Sequence, residues 1–168
     1  MTDLKTAFPL PAIALNNYLW DALKSIDGTL DAQYEYTPIF PLADSKAGDQ
    51  GWGNKTYIVY DELMKFRAKP FYGVHKLQVM YFIRGDAEGV LGWTNAISHI
   101  LDREDSSAQD INKYNSNDPN CGIFFHSTKV FQVDSTNEER MDLSVRQYYT
   151  ASMIVEVNYH LTNTNGFD

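Results

Sequence analysis

Apolar residues after Pro11 fall at Leu15, Tyr18, Leu19, Ala22, Leu23 and Ile26, the three-and-four spacing that draws one stripe down a helix. Pro11 suits the first turn, where its missing N–H would have no partner anyway, and Gly28 suits the stop. From Asp31 to Gly53 the periodicity dissolves. Pro38, Pro41, Gly48, Gly51 and Gly53 punctuate short apolar pieces, which predicts one short strand around Tyr36 to Phe40 and then a long loop. Thr56 to Phe66 opens on β-branched and aromatic residues (Thr56, Tyr57, Ile58, Val59, Tyr60) that suit a pleated, half-buried surface, so a strand is expected there. After Lys69-Pro70 and Gly73, the stretch from Val74 to Arg84 alternates. Leu77, Val79, Tyr81 and Ile83 share one side and should face a core.

The period then returns to that of a helix. Asp86 offers an N-cap carboxylate, and Ala87, Val90, Leu91, Thr94, Ile97 and Leu101 follow at helical spacing, predicting a helix over Ala87 to Leu101. Ser106 or Ser107 would cap a shorter helix from Ala108 to Tyr114, and Asn115 to Asn120 has the composition of a loop. Two more strands are expected, Ile123 to Val133 and Gln147 to Leu161, with polar Asp134 to Asp142 as the loop between them and Thr162 to Asp168 as a frayed tail. No segment repeats and no shift in composition divides the chain. The expectation is a single α+β domain over residues 1–168, a mainly antiparallel β-sheet with helices packed on one face.

Composition supports one folded core. Of 168 residues, 43% are hydrophobic and 14% aromatic, enough apolar area to offset the entropy of ordering the chain. The formal net charge of -8 argues against a surface built to neutralise phosphates. The excess is uneven, since the stretch from Asp86 to Asn120 carries a net -5 of that total. Lys65, Arg67, Lys69 and Lys76 instead gather around Phe66, Phe71, Tyr72 and His75. Rings beside cations in a loop suit protein recognition, and they equally suit an ordinary solvent-facing hairpin anchored by aromatics. Cys121 is the lone cysteine, so no intramolecular disulfide can form, which fits a reducing cytoplasm. The longest strongly apolar block, Val79 to Ile83, is far below the roughly 20 residues of a membrane-spanning helix, and the N-terminal stretch does not have the make-up of a signal peptide.

Few residues stand in a pattern that carries chemistry. His75, His99, His126 and His160 lie far apart with no two at metal-ligand spacing, and no EF-hand loop accompanies the acidic stretch, so no metal is expected. Gly51-Trp52-Gly53 continues as Asn54-Lys55-Thr56, without the third glycine or the Gly-Lys pair of a phosphate cradle, and a GxSxG elbow is missing. Cys121 as a nucleophile would need a histidine brought to it in space; a small residue at the mouth of a strand is the simpler role.

In element order and size the chain resembles the tail terminator proteins of tailed bacteriophages. The resemblance rests on the N-terminal helix, the Gly/Pro-rich loop, the strands at Thr56 to Phe66 and Val74 to Arg84, the helix from Ala87 to Leu101, and the final strand pair. It implies a structural virion protein, made in the host bacterial cytoplasm, whose hexameric ring caps the tail tube and meets the neck. It also implies no catalytic residues, no cofactor and no membrane contact. DNA would pass through without specific binding, which suits the acidic balance. A ring closed by rotation needs two unlike patches on each subunit. The candidates are Trp52 with its glycine neighbours, the loop of Phe66, Arg67, Lys69, Phe71, Tyr72 and His75, and the tyrosines near Tyr148. Another neck or head-completion connector is a second reading. A small cytoplasmic ligand-binding domain or enzyme using Asp102, Glu104 or His99 is a third.

Overall fold

The computed structural model describes residues 10–42, 55–66, 73–119, 121–138 and 148–162. Along the chain these form α1 (Pro11–Ile26), α2 (Leu30–Gln33), β1 (Ile39–Pro41), β2 (Tyr57–Phe66), β3 (His75–Gly85), α3 (Ala87–Leu101), α4 (Asp105–Asn115), β4 (Ile123–Glu138) and β5 (Tyr148–Leu161). The described strands make one five-stranded sheet in the order β1-β2-β3-β5-β4, with β1 parallel to β2 and every other pair antiparallel. Helices pack against it, so the fold is α+β as the alternation and helical stripes predict.

The core is the helix side of the sheet. Leu77, Val79, Tyr81 and Ile83 of β3 are buried, and their register partners Val157, Val155, Met153 and Ala151 on β5 are buried with them. Against this surface lie Val90, Ile97 and Leu101 of α3, Ala108 and Ile111 of α4, and Leu15, Leu19 and Leu23 of α1. Polar contacts also cross the core, among them the Tyr81 hydroxyl, which donates to Asn16 Oδ1 on α1 at 2.7 Å. Burial pushes the Tyr81 pKa up, with Tyr60 adding to the shift, so the phenol stays a neutral donor. Asp86 caps α3 as its sequence position suggests, its side chain accepting from the Gly89 N–H at 2.6 Å.

Four boundaries differ from expectation. The short strand lies at Ile39–Pro41 rather than Tyr36 to Phe40, and Tyr36 is exposed. A single turn of helix, α2, stands within the stretch expected to be irregular. Helix α4 begins at Asp105, ahead of its expected start. Strand β4 continues to Glu138 through residues expected to begin a loop, because β5 pairs with it along that whole length and a strand that is backbone-paired on one side needs no apolar pattern to persist.

Candidate protein interface

The even positions of β3 point away from the helices. Gln78, Met80, Phe82 and Arg84 are half-buried, as are Ile154, Glu156, Asn158 and His160 on β5. Among the described residues no helix packs on this side. Its middle is apolar, with Met80 paired to Ile154 and Phe82 paired to the buried Val59, and Phe40 stacks on Tyr57 at its margin (5.7 Å between centroids). Toward the other end it turns polar, where Glu156 holds Lys76 at 3.1 Å and accepts from Gln78 at 3.4 Å.

Among the described residues, the two sheet edges are each finished along only part of their length. Strand β1 covers Ile58 to Tyr60, and the Leu42 N–H reaches the Tyr60 carbonyl at 2.8 Å; beyond that, no strand among the described residues pairs with the outer side of 61–66. On β4 the first half is plugged by two side chains and one backbone bridge. Asn112 of α4 donates to the Phe125 carbonyl at 2.7 Å and accepts from the Phe125 N–H at 2.8 Å, so one carboxamide stands in for a neighbouring strand. Glu104 bridges Thr128, and Asp102 Oδ1 accepts from the Val130 N–H at 2.9 Å. Past Val130 no described residue pairs with the outer edge, and Phe131 and Val133 stand 65% and 45% exposed. The register places these open lengths at opposite corners: Phe66 is level with Lys76, Asn158 and Ser127, whereas Tyr57 is level with Arg84, Thr150 and Thr136.

The Asn112 clamp yields a direct prediction. Asn112→Ala leaves both backbone groups of Phe125 without their partners, and we expect a loss of about 1–3 kcal/mol in urea unfolding together with faster hydrogen exchange at the Phe125 amide. Unchanged exchange there would show that the carboxamide does not close the edge.

Of the sequence-predicted interface residues, His75 is the one whose side chain the structure describes. It opens β3, is half-buried and stacks on Tyr159 (5.4 Å, 29°), so it anchors the end of the sheet. Phe66 ends β2 and Tyr148 begins β5; their side chains, with Trp52, Arg67, Lys69, Phe71 and Tyr72, lie outside the described residues. None of the residues named for an enzymatic reading lines the cleft that holds Cys121. Asp102 and Glu104 serve the β4 edge, Glu104 also facing Lys129 at 3.7 Å, and His99 is exposed on α3. Cys121 lies in a cleft of about 540 Å³ with Leu10, Ile13, Tyr114 and Asn115. Burial pushes its thiol pKa up, which disfavours the thiolate a nucleophile needs. What the sequence missed is Asn112, the edge role of Asp102, and the pairing of His126 with His160, which β4 and β5 bring into contact although 34 positions separate them. No protein-family model matches the chain, and no curated protein matches it at a significant level.

Proposed function

We propose that the chain is a self-associating structural subunit that closes into a ring by joining unlike patches, in the manner of the tail terminator proteins it resembles. The ring would sit between tail tube and neck of a virion and let DNA pass without specific contact. The observation that carries this reading is the pair of edges, at opposite corners of one sheet, that the described residues finish only in part. A backbone edge is a ready template for another strand. Two unlike edges, one at β2 and one at β4, are what a head-to-tail contact requires, and their diagonal offset gives the stagger that lets a continued sheet close on itself. The exposed Phe131 and Val133 on the open half of β4 supply apolar area at that joint. The acidic balance supports a lumen that does not hold DNA.

Size-exclusion chromatography with light scattering, followed by negative-stain microscopy, tests it. A closed ring is expected, and Phe131→Asp should convert it to a monomer that keeps the circular-dichroism spectrum of the folded chain, since the side chain is exposed within one subunit. A chain that stays monomeric at every concentration, and also with tube protein present, would overturn the reading.

A further inference from the structure

The two histidines that meet on the second face of the sheet form an unassigned site. His126 belongs to β4 and His160 to β5, and their Nε2 and Nδ1 atoms face each other at 2.7 Å. The ring centroids are 4.9 Å apart, and the Phe124 ring lies 5.2 Å from each, so one aromatic wall supports both imidazoles. The contact depends on an irregularity in β4. Phe125 pairs with Tyr159 and Ser127 pairs with Asn158, which leaves His126 as an extra residue between them. Phe125 and Thr128 are both buried on the helix side, so the bulge turns His126 and Ser127 together toward the other face. Bulges recur where a strand must aim a side chain at a site. Here Ser127 Oγ accepts from Asn158 Nδ2 at 2.8 Å, and His126 is left to meet His160.

We propose that His126 and His160 together bind a late first-row divalent transition ion such as Zn²⁺, Ni²⁺ or Cu²⁺ through His126 Nε2 and His160 Nδ1, with water completing the coordination. Imidazole nitrogen suits these ions and not the hard cations Ca²⁺ and Mg²⁺, which take oxygen. Without an ion, one facing nitrogen carries the proton and the other accepts it. Binding moves that proton to the far nitrogen of the same ring, so both facing lone pairs turn to the ion with no net proton release from a neutral pair. Two nitrogens about 2.0–2.1 Å from a tetrahedral ion stand roughly 3.3 Å apart, an opening of a few tenths of an ångström for two rings at the surface. Among the described residues no cluster of three or more His, Cys, Asp or Glu forms, so the described residues offer the ion two ligands.

Titration of the intact chain with ZnCl₂ by calorimetry, and with CuCl₂ by electron paramagnetic resonance, tests the proposal. One saturable equivalent is expected, with two-nitrogen superhyperfine structure on copper. His126→Ala and His160→Ala should each weaken binding by more than the roughly 10–100-fold that loss of an outer-shell partner costs, and reduce the copper signal to a single nitrogen. His126→Asn keeps a hydrogen-bonding side chain and should show the same loss, which separates ligation from folding. Cys121→Ser and His99→Ala should leave binding unchanged. Binding that survives both histidine substitutions, or no saturable binding by the wild-type chain, would overturn the proposal.

Discussion

Phe125→Ala is expected to cost about 3–5 kcal/mol of stability, the range for deleting a large buried aromatic side chain. Phe125 is 1% exposed, and its ring lies against Tyr159 (6.5 Å between centroids) on the helix side of the sheet. Its backbone is held by Asn112, so the strand cannot easily sink to refill the space, and the cavity term adds to the lost transfer energy. Typical domains have about 5–15 kcal/mol in all, so this one substitution would remove a large share. Chemical denaturation should show a lower midpoint with an unchanged slope. The adjacent Phe124 points to the other face and is 42% exposed, so Phe124→Ala should cost far less than Phe125→Ala. Equal losses at the two positions would show that the burial pattern assigned to β4 is wrong.

The second large effect runs against helix propensity. Gly89 stands in the first turn of α3, where alanine would ordinarily stabilise by up to about 1 kcal/mol. A Cβ at Gly89 would fall 2.2 Å from Thr56 Oγ1 and 3.0 Å from the capping Asp86 Oδ1. Thr56 has little room to yield. It is buried, its carbonyl accepts the Tyr34 hydroxyl at 2.7 Å, and its Cα lies 2.9 Å from where a Cβ on Gly85 would be. Gly89→Ala should therefore destabilise by about 1–3 kcal/mol through overpacking. Gly92, on the same helix with nothing within 4 Å of where its Cβ would stand, should gain from the same change. Thr56→Ala removes the obstructing oxygen, so Gly89→Ala in that background should become neutral or stabilising, a coupling read directly from a double-mutant cycle. Stabilisation by Gly89→Ala in the unaltered chain would refute the close approach.

Helices α1 and α3 and strand β3 were legible because each carries its own period, and Asp86 stood where a cap belongs. Strand β4 was legible only in part. Two bulges, at Phe125/Ser127 and Val130/Gln132, interrupt its alternation, and its last residues are polar, so nothing local distinguishes them from a turn. The three residues of β1 are too few to show a period, and their parallel pairing with β2 is set by tertiary contact alone. The candidate interface was less legible still. Asn112 reads as an ordinary helical position until the register puts Phe125 beside it, and His126 and His160 become neighbours only through the pairing of two strands and a bulge that no spacing rule announces.

Strand order also bears on how the chain comes off the ribosome. Strand β5 lies between β3 and β4, yet it follows both in the sequence. Until residue 161 has been synthesised, β3 lacks one neighbour, β4 lacks its sole antiparallel partner among the described strands, and the buried row of β3 from Leu77 to Ile83 is incompletely walled. The sheet therefore cannot grow by accretion in the order of translation. Its two halves wait for one late strand, and a nascent chain holds exposed apolar surface for that interval, the condition under which chaperone capture competes with folding.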